Sequence, residues 1–532
     1  MSKTVNGNAA GSKPAPPRHI EHPPLTGATL LWGTLALALA TFMIVLDSSI
    51  ANVSIPAISG DLGVSPTQGT WVITSFAVAN AISIPLTGWL TQRFGQVRLF
   101  VISILLFVLA SWLCGFAPNI ESLIAFRVLQ GAVSGPIIPL SQALLLSSYP
   151  KAKAGMALAL WAMTTLVAPV MGPLLGGWIT DHISWSWIFY INIPVGFIAS
   201  SITWSLYKER DSIIHKLPID KVGLFLLIVW VGAMQIMMDK GKELDWFASN
   251  QIIALAVTAV VGFAFFIAWE LTDDHPVVDL TLFARRNFWT GTIALSLAYG
   301  VFFGNVVLLP LWLQQYMGYT ATQAGIVLAP VGVMAILLSP MVGKSIGKVD
   351  PRILATISFL VFALVLWMRS RFNTNADLTT ILIPTVVQGV AMAFFFIPLV
   401  SLTLSGLTPD KIPAASGLSN FARITAGAFG TSIATTLWEN RAAMHHAHLT
   451  EKLNLASIPM TQTVSGLQAS GFSSEQAMAV INRSIDQQAY MMSANDIFFA
   501  SSMIFFVLIG VVWLARPVKS SGGSAADASG AH

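Results

Sequence analysis

An all-α integral membrane fold with about fourteen spanning helices is what this sequence predicts, on three observations. Of its 532 residues 55% are hydrophobic and only 10% charged, with a mean hydropathy of +0.72, whereas soluble domains carry about 25% charged residues. Apolar runs long enough to cross a bilayer recur along nearly the whole chain. Inside lipid every backbone N–H and C=O must be bonded within the protein, which makes each of these runs a helix. The formal charge of +4, spread over loops, gives no footprint for nucleic acid. The single cysteine, Cys114, rules out a disulfide framework and a Cys-rich metal site. There are no clustered metal ligands, no triad-like set and no phosphate loop, so the chain does not read as an enzyme.

Taken in order, residues 1–25 are polar and rich in Pro, Gly and Ala, and read as a disordered tail. Spans follow at about 29–54, 70–90, 99–117, 122–147, 155–179, 186–206, 221–238, 251–269, 288–312, 321–343, 353–369, 379–405, 414–437 and 495–515. Residues 516–532 form a second tail. With the N-terminus inside, 19 Lys and Arg fall on the cytoplasmic side and only seven, Arg369 among them, on the other, so both termini are expected to be cytoplasmic. Two more, Arg127 and Arg423, lie within spans. The stretch from Glu439 to Ala494 is a long polar excursion, helical over 437–452 and 474–492 with a break at 457–473. It is either a docking surface or a tolerated surface insertion.

Charge inside the spans points to chemistry. No charge occurs from Leu30 to Leu46, and then Asp47 appears, at a depth where a carboxylate costs roughly 2.5–3.5 kcal/mol unless it has a partner, a proton or a wet cavity. Counting the helical rise places Asp47 roughly 7 Å and Arg127 roughly 10 Å to the outer side of the midplane. The two can pair directly or through a water. That pair is either structural or a switch in which protonation of Asp47 biases a two-state bundle. All nine histidines lie in tails or loops, and Glu270, Asp239, Glu439 and Asp496 sit at span ends, which leaves Asp47 as the proton carrier. His445, His446 and His448 read as a hydrated loop face or, less simply, a metal site. Arg423 has no evident acidic partner, and its role is left open.

Two motifs accompany the charges. Gly88-Trp89-Leu90-Thr91-Gln92-Arg93-Phe94-Gly95-Gln96-Val97-Arg98 has glycines for a tight turn and arginines facing helix ends and headgroups. Ala168-Pro169-Val170-Met171-Gly172-Pro173-Leu174-Leu175-Gly176-Gly177 has prolines and small residues at a spacing that permits close helix crossing.

With Arg127-Val128-Leu129-Gln130-Gly131, these motifs resemble those of the major facilitator superfamily. Gly172 to Gly177 is similar to its antiporter motif. Leu46-Asp47-Ser48-Ser49-Ile50 and Trp187-Ile188-Phe189-Tyr190-Ile191-Asn192-Ile193-Pro194 resemble signatures of the fourteen-span drug:proton antiporter branch. The loops Asp239 to Phe247, Trp269 to Asp274 and Met444 to Thr450 resemble EmrB-type multidrug exporters of Gram-negative inner membranes. The resemblance runs from about residue 26 to 516.

It implies an N-terminal six-helix bundle over 26–207, two inserted spans within a linker over 208–286, and a C-terminal bundle over 287–515 that includes loop 439–494. It also implies export of hydrophobic toxic compounds driven by protons, with no other cofactor. The implied partners are a periplasmic membrane-fusion adaptor of EmrA type and a TolC-type outer-membrane channel. Gly88, Arg93, Gly95 and Arg98 would form the gating turn. One departure stands out: Gln92 occupies the position of an acid in the family, so the charge relay there must be weaker or built differently. The second half keeps only a reduced version of this turn, Gly343 to Arg352.

A multidrug site needs a large apolar cavity with few polar groups. Asn52, Trp71, Asn80, Trp161, Met163, Asn192, Phe302, Phe303, Phe395 and Phe396 are the candidate lining residues. The sequence thus reads as an inner-membrane antiporter that rocks two bundles about a central cavity, with Asp47 carrying the proton, Arg127 tuning it, and Pro169, Gly172 and Pro173 shaping a hinge. The rivals are an exporter of one physiological compound, such as a fatty acid or siderophore, and a non-transporting receptor or assembly scaffold.

Overall fold

The structure is a computed structural model that describes residues 23–517 except 151–152, 215–217, 347 and 452–457. Most of both expected tails lies outside that range. Residues 23–25 do not behave as tail: Leu25 is buried, its N–H donates to the Ser148 carbonyl at 2.9 Å, and the Pro23 carbonyl accepts from Arg210.

No strand occurs among the described residues. In chain order the α-helices of eight residues or more are α1 (Gly27–Asp61), α2 (Trp71–Ser83), α3 (Thr87–Phe94), α4 (Gln96–Gly115), α5 (Ile120–Ser134), α6 (Ile137–Ser148), α7 (Ala154–His182), α8 (Asn192–Tyr207), α9 (Lys221–Lys240), α10 (Asn250–Thr272), α11 (Arg286–Tyr316), α12 (Ala321–Ser345), α13 (Pro351–Arg369), α14 (Leu378–Ala393), α15 (Phe396–Leu404), α16 (Ile412–Glu451), α17 (Ile458–Ala469) and α18 (Ser474–Trp513). By length and apolarity 11 units span a membrane, and the α2–α3 pair, bent by 63°, makes a twelfth. Helices α7 and α16, 29 and 40 residues long, cover two further stretches that the sequence reading assigns to spans but do not count among these twelve. Local chemistry starts them. Asn119, Asp220 and Asp377 accept backbone N–H groups at the first turns of α5, α9 and α14, and Thr320 and Ser473 form capping boxes for α12 and α18.

Helices α1 to α8 pack chiefly on one another, as do α11 to α18, while α9 and α10 pack together and lean on α2 and α16. Both described ends of the chain lie on one side, the terminal side, where Arg286 reaches the Leu514 carbonyl at 2.6 Å and Lys411 meets Asp279 at 3.3 Å. The two helix groups touch there. A Cβ on Gly155 would stand 2.3 Å from the Gly343 carbonyl oxygen, and one on Gly88 2.5 Å from the Ala414 Cβ, so only glycine admits these crossings. The Gln142 amide oxygen accepts from Ser416, and from Asn420 at 3.4 Å. On the far side the link is made by α9 and the loop after it. Lys240 bonds Thr70 at 2.8 Å and Asp239 accepts from Thr74, both toward α2. Trp246 bonds Thr436 at 3.0 Å and Lys242 pairs with Glu439 at 2.7 Å, both on α16.

The polar excursion differs from its sequence reading. Its two expected helices are continuous with the spans on either side, giving α16 and α18 at 40 residues each. The expected break over 457–473 contains α17. At the helical rise each long helix runs about 60 Å, roughly twice the hydrocarbon thickness. Cross-links hold the projecting parts together: Arg441 and His445 meet Asp496 at 2.6 and 2.7 Å, and His446 meets Asp486 at 2.7 Å. Two of the clustered histidines are therefore engaged by carboxylates, and no group of three metal-ligating side chains occurs among the described residues.

Candidate functional site

Asp47 and Arg127 meet directly. Arg127 Nη1 lies 2.7 Å from Asp47 Oδ2, with both side chains excluded from solvent. Further polar atoms of the pair are engaged from several elements. Arg127 Nε donates to the Val72 carbonyl of α2 at 3.0 Å, and Nη1 also donates to Gln130 Oε1 at 2.6 Å. Asp47 Oδ1 accepts from Asn192 of α8 at 2.8 Å and from Gln130 at 3.1 Å. Gln130 and Asn192 both also donate to Ser111 of α4, at 2.7 and 3.3 Å. The guanidinium lies over Phe76 and Phe189, 4.2 and 5.5 Å from their ring centres. Five helices thus converge on one ion pair. A proton arriving on Asp47 would turn an acceptor-only carboxylate into a group with a donor and leave Arg127 buried without a counter-charge.

Small residues bring α7 against this centre. A Cβ on Gly172 would stand 2.3 Å from Ser49 Oγ and one on Gly176 2.7 Å from Ile50 Cγ1, so both glycines sit at the α1–α7 crossing beside Asp47. Gly177 faces open space. The side chains of Pro169 and Pro173 lie outside the described ones.

The turn between α3 and α4, where Gln92 stands, meets a carboxylate from elsewhere in the chain. Gly95 takes φ +87°, in the left-handed region that glycine tolerates, with Asp211 against it. Asp211, at the end of the sixth span, accepts the Val97 N–H at 2.8 Å and the Arg98 N–H at 3.4 Å, and pairs with the Arg98 side chain at 3.4 Å. The carboxylate of the turn is supplied from a distant segment and caps the start of α4. Arg93 leans over Trp89, 5.7 Å from its ring centre. In the second half Asp350 and Arg352 pair at 2.7 Å. Burial works to raise the Asp350 carboxyl, but the hydrogen bonds and charge of Arg352 outweigh it and hold it below the usual carboxylate range.

The proposed cavity residues scatter. Asn192 belongs to the ion-pair network. Asn80 bonds Ser134 at 2.7 Å within the first bundle, and Trp71 lies under Lys240. Phe302 and Phe395 pack on Phe362 in an aromatic core instead of lining a cavity. Asn52 is exposed and Met163 half-buried. Trp161, Phe303 and Phe396 gather near Arg423 at the seam between the bundles. Arg369, which the sequence places in an outer loop, is fully buried, bonding Gln388 at 2.6 Å and Thr385 at 3.4 Å. It closes the last turn of α13, so its apolar stem stays with the helix while its head turns inward.

A family model described as Major Facilitator Superfamily matches residues 37–431. The chain belongs to the major facilitator superfamily. Within it, the chain is 52% identical over 510 residues to "Multidrug export protein EmrB" of Escherichia coli (strain K12), covering 96% of this chain and 99% of that one. It is 51% identical over 504 residues to "Fatty acid resistance protein FarB" of Neisseria gonorrhoeae, covering 95% and 99%. Among solved structures, a crystal structure of the human organic anion transporter MFSD10 (TETRAN) shares the fold, with a TM-score of 0.56 at 11% identity over 92% of this chain and 100% of that one. This is a multi-span membrane transporter of EmrB type within the superfamily, and not an enzyme.

Sequence reasoning missed several working residues of this facilitator chain. Gln130, Ser111 and Cys114 complete the buried network, Cys114 lying 3.6 Å from Gln130 Oε1. Gln130 stands three residues after Arg127 on one helix face, a spacing that could have flagged it. Asp211 carried no comparable signal.

Proposed function

We propose that the protein is a proton-driven exporter of hydrophobic and amphipathic toxic compounds across the inner membrane, with its terminal side in the cytoplasm. The observation that carries this reading is the solvent-free Asp47–Arg127 pair, joined by five helices, in a chain of a transporter family. In the cycle a proton entering from the periplasm neutralises Asp47, Arg127 loses its partner, and the network re-sorts across α1, α2, α4, α5 and α8. That local change biases the rocking of one bundle against the other. Energy comes from the ion gradient. Relatives named as multidrug export proteins support the substrate class. The helical projection of α16 to α18 is the face we assign to a periplasmic adaptor of EmrA type, itself leading to a TolC-type channel.

The test is Asp47→Asn. It keeps the side-chain shape and removes the titrating group. Gradient-driven efflux, measured per amount of protein in the membrane so that any loss of stability is separated out, should fall to the level of cells lacking the protein. Undiminished resistance in that variant would remove Asp47 from the mechanism. Drug-triggered proton release in proteoliposomes checks the coupling directly.

The relative named for fatty acid resistance favours a second reading, export of one physiological amphiphile such as a fatty acid. A dose series over unrelated toxic compounds separates the two: protection against a single class would favour the narrower exporter.

A further inference from the structure

Arg423 is a buried cation for which the described protein supplies no anion. It is 5% exposed, its guanidinium donates to Asn420 Oδ1 at 2.7 Å, and no described Asp or Glu stands within ion-pair distance. Its flat faces are lined by aromatic rings, Tyr299 at 4.6 Å and Phe396 at 5.4 Å. Arg127, by contrast, is neutralised by Asp47. Arg369 also lacks an acid, but it is bonded inside its own bundle by α14. Arg423 alone of these three borders the seam between bundles.

A small, partly open cavity of about 10 Å³ lies against it, walled by Gln142 and Trp161 from one bundle and by Ser419 and Asn420 from the other. That is room for one water at most. The Trp161 indole N–H, itself buried, has no acceptor among the described residues. Two strong donors therefore face a common space that holds no carboxylate. An uncompensated guanidinium at this depth is costly, and the shape it complements best is a planar anion that takes two parallel hydrogen bonds.

We propose that this seam seats the carboxylate headgroup of an anionic amphipathic substrate. Arg423 takes the headgroup, Trp161 provides a second donor, and Tyr299 and Phe396 receive the start of the apolar tail. The Gln142 oxygen holds Ser416 and Asn420 across the seam. Entry therefore requires those bonds to part as the terminal side opens. The site's role in transport rests on the exporter reading above; its ability to bind does not.

Purified full-length protein and three probes with one tail test it: dodecanoate, its methyl ester, and dodecyltrimethylammonium. Binding is read by thermal shift and by tryptophan fluorescence in detergent. In Arg423→Gln the affinity for dodecanoate should fall about tenfold or more, the worth of a charge-assisted hydrogen bond. The ester and the ammonium should change by less than about twofold, since neither uses that bond. Arg423→Lys, which keeps the charge without the fork, should fall less, and Trp161→Phe should weaken dodecanoate selectively. Equal loss for all three probes would make Arg423 a packing residue and overturn the proposal, as would unchanged dodecanoate binding. Should Arg423→Gln fail to fold, the wild-type preference for dodecanoate over its ester decides, and equal affinities overturn the site. If dodecanoate binds through Arg423 but a proton gradient never moves it in proteoliposomes, the binding site stands and its part in transport fails, while the exporter reading is judged by Asp47→Asn.

Discussion

Asp47 and Arg127 hold each other at a depth where neither is tolerated alone. Arg127→Met leaves a buried carboxylate unpaired and should cost about 3–5 kcal/mol. Adding Asp47→Asn removes the stranded charge, so the double variant should unfold at a higher temperature than Arg127→Met alone. Thermal unfolding in detergent measures this, and strictly additive losses would contradict a direct pairing. Both charges were legible in the sequence, because a charge within an apolar run has no ordinary reason to be there. Their neutral partners were only half legible: Asn192 was expected to line a cavity and Gln130 stood in the Arg127 motif, but neither was placed against Asp47, and Ser111 carried no signal. Ser111, Gln130 and Asn192 are residue types found on any helix, and only the fold decides that they face one carboxylate. Arg369 was misread for the opposite reason. At the end of an apolar run, hydropathy cannot tell a side chain that leaves for water from one that turns back to Gln388.

At the scale of single elements, the turn from α3 to α4 depends on a residue more than a hundred positions away. Asp211 caps α4 through the Val97 and Arg98 N–H groups. Asp211→Ala should lose a cap worth about 0.5–2 kcal/mol. Amide exchange over residues 95–99 should quicken while the ion-pair network stays protected. Unaltered exchange there would deny Asp211 that role. The spans themselves were readable from apolar length alone, since lipid forces each to be helical. The projection was harder. Polarity rises after Leu437, which reads as a loop, yet no Gly or Pro interrupts 431–451 or 474–509. Without a breaker the backbone simply continues as helix.

Across the whole molecule, the terminal side is shut by direct contact between bundles, with Gln142 against Ser416 at its centre. Gln142→Cys with Ser416→Cys, bridged by a short reducible bis-thiol reagent that makes up the length lost from the glutamine, should stop transport, and reduction should restore it; the native Cys114 is buried. Transport that survives complete cross-linking would show that this seam never opens. Such closure was invisible in the sequence, because apolar pattern reports which face of a helix is covered and says nothing of which neighbour covers it. The far side carries a different consequence. Helices α16 and α18 project as one braced shaft, fixed at its base to the second bundle. Tilting that base by about 10° would swing a tip some 30 Å away through about 5 Å. Whatever grips the tip would feel every turnover as a mechanical stroke, delivered without any substrate passing along the shaft.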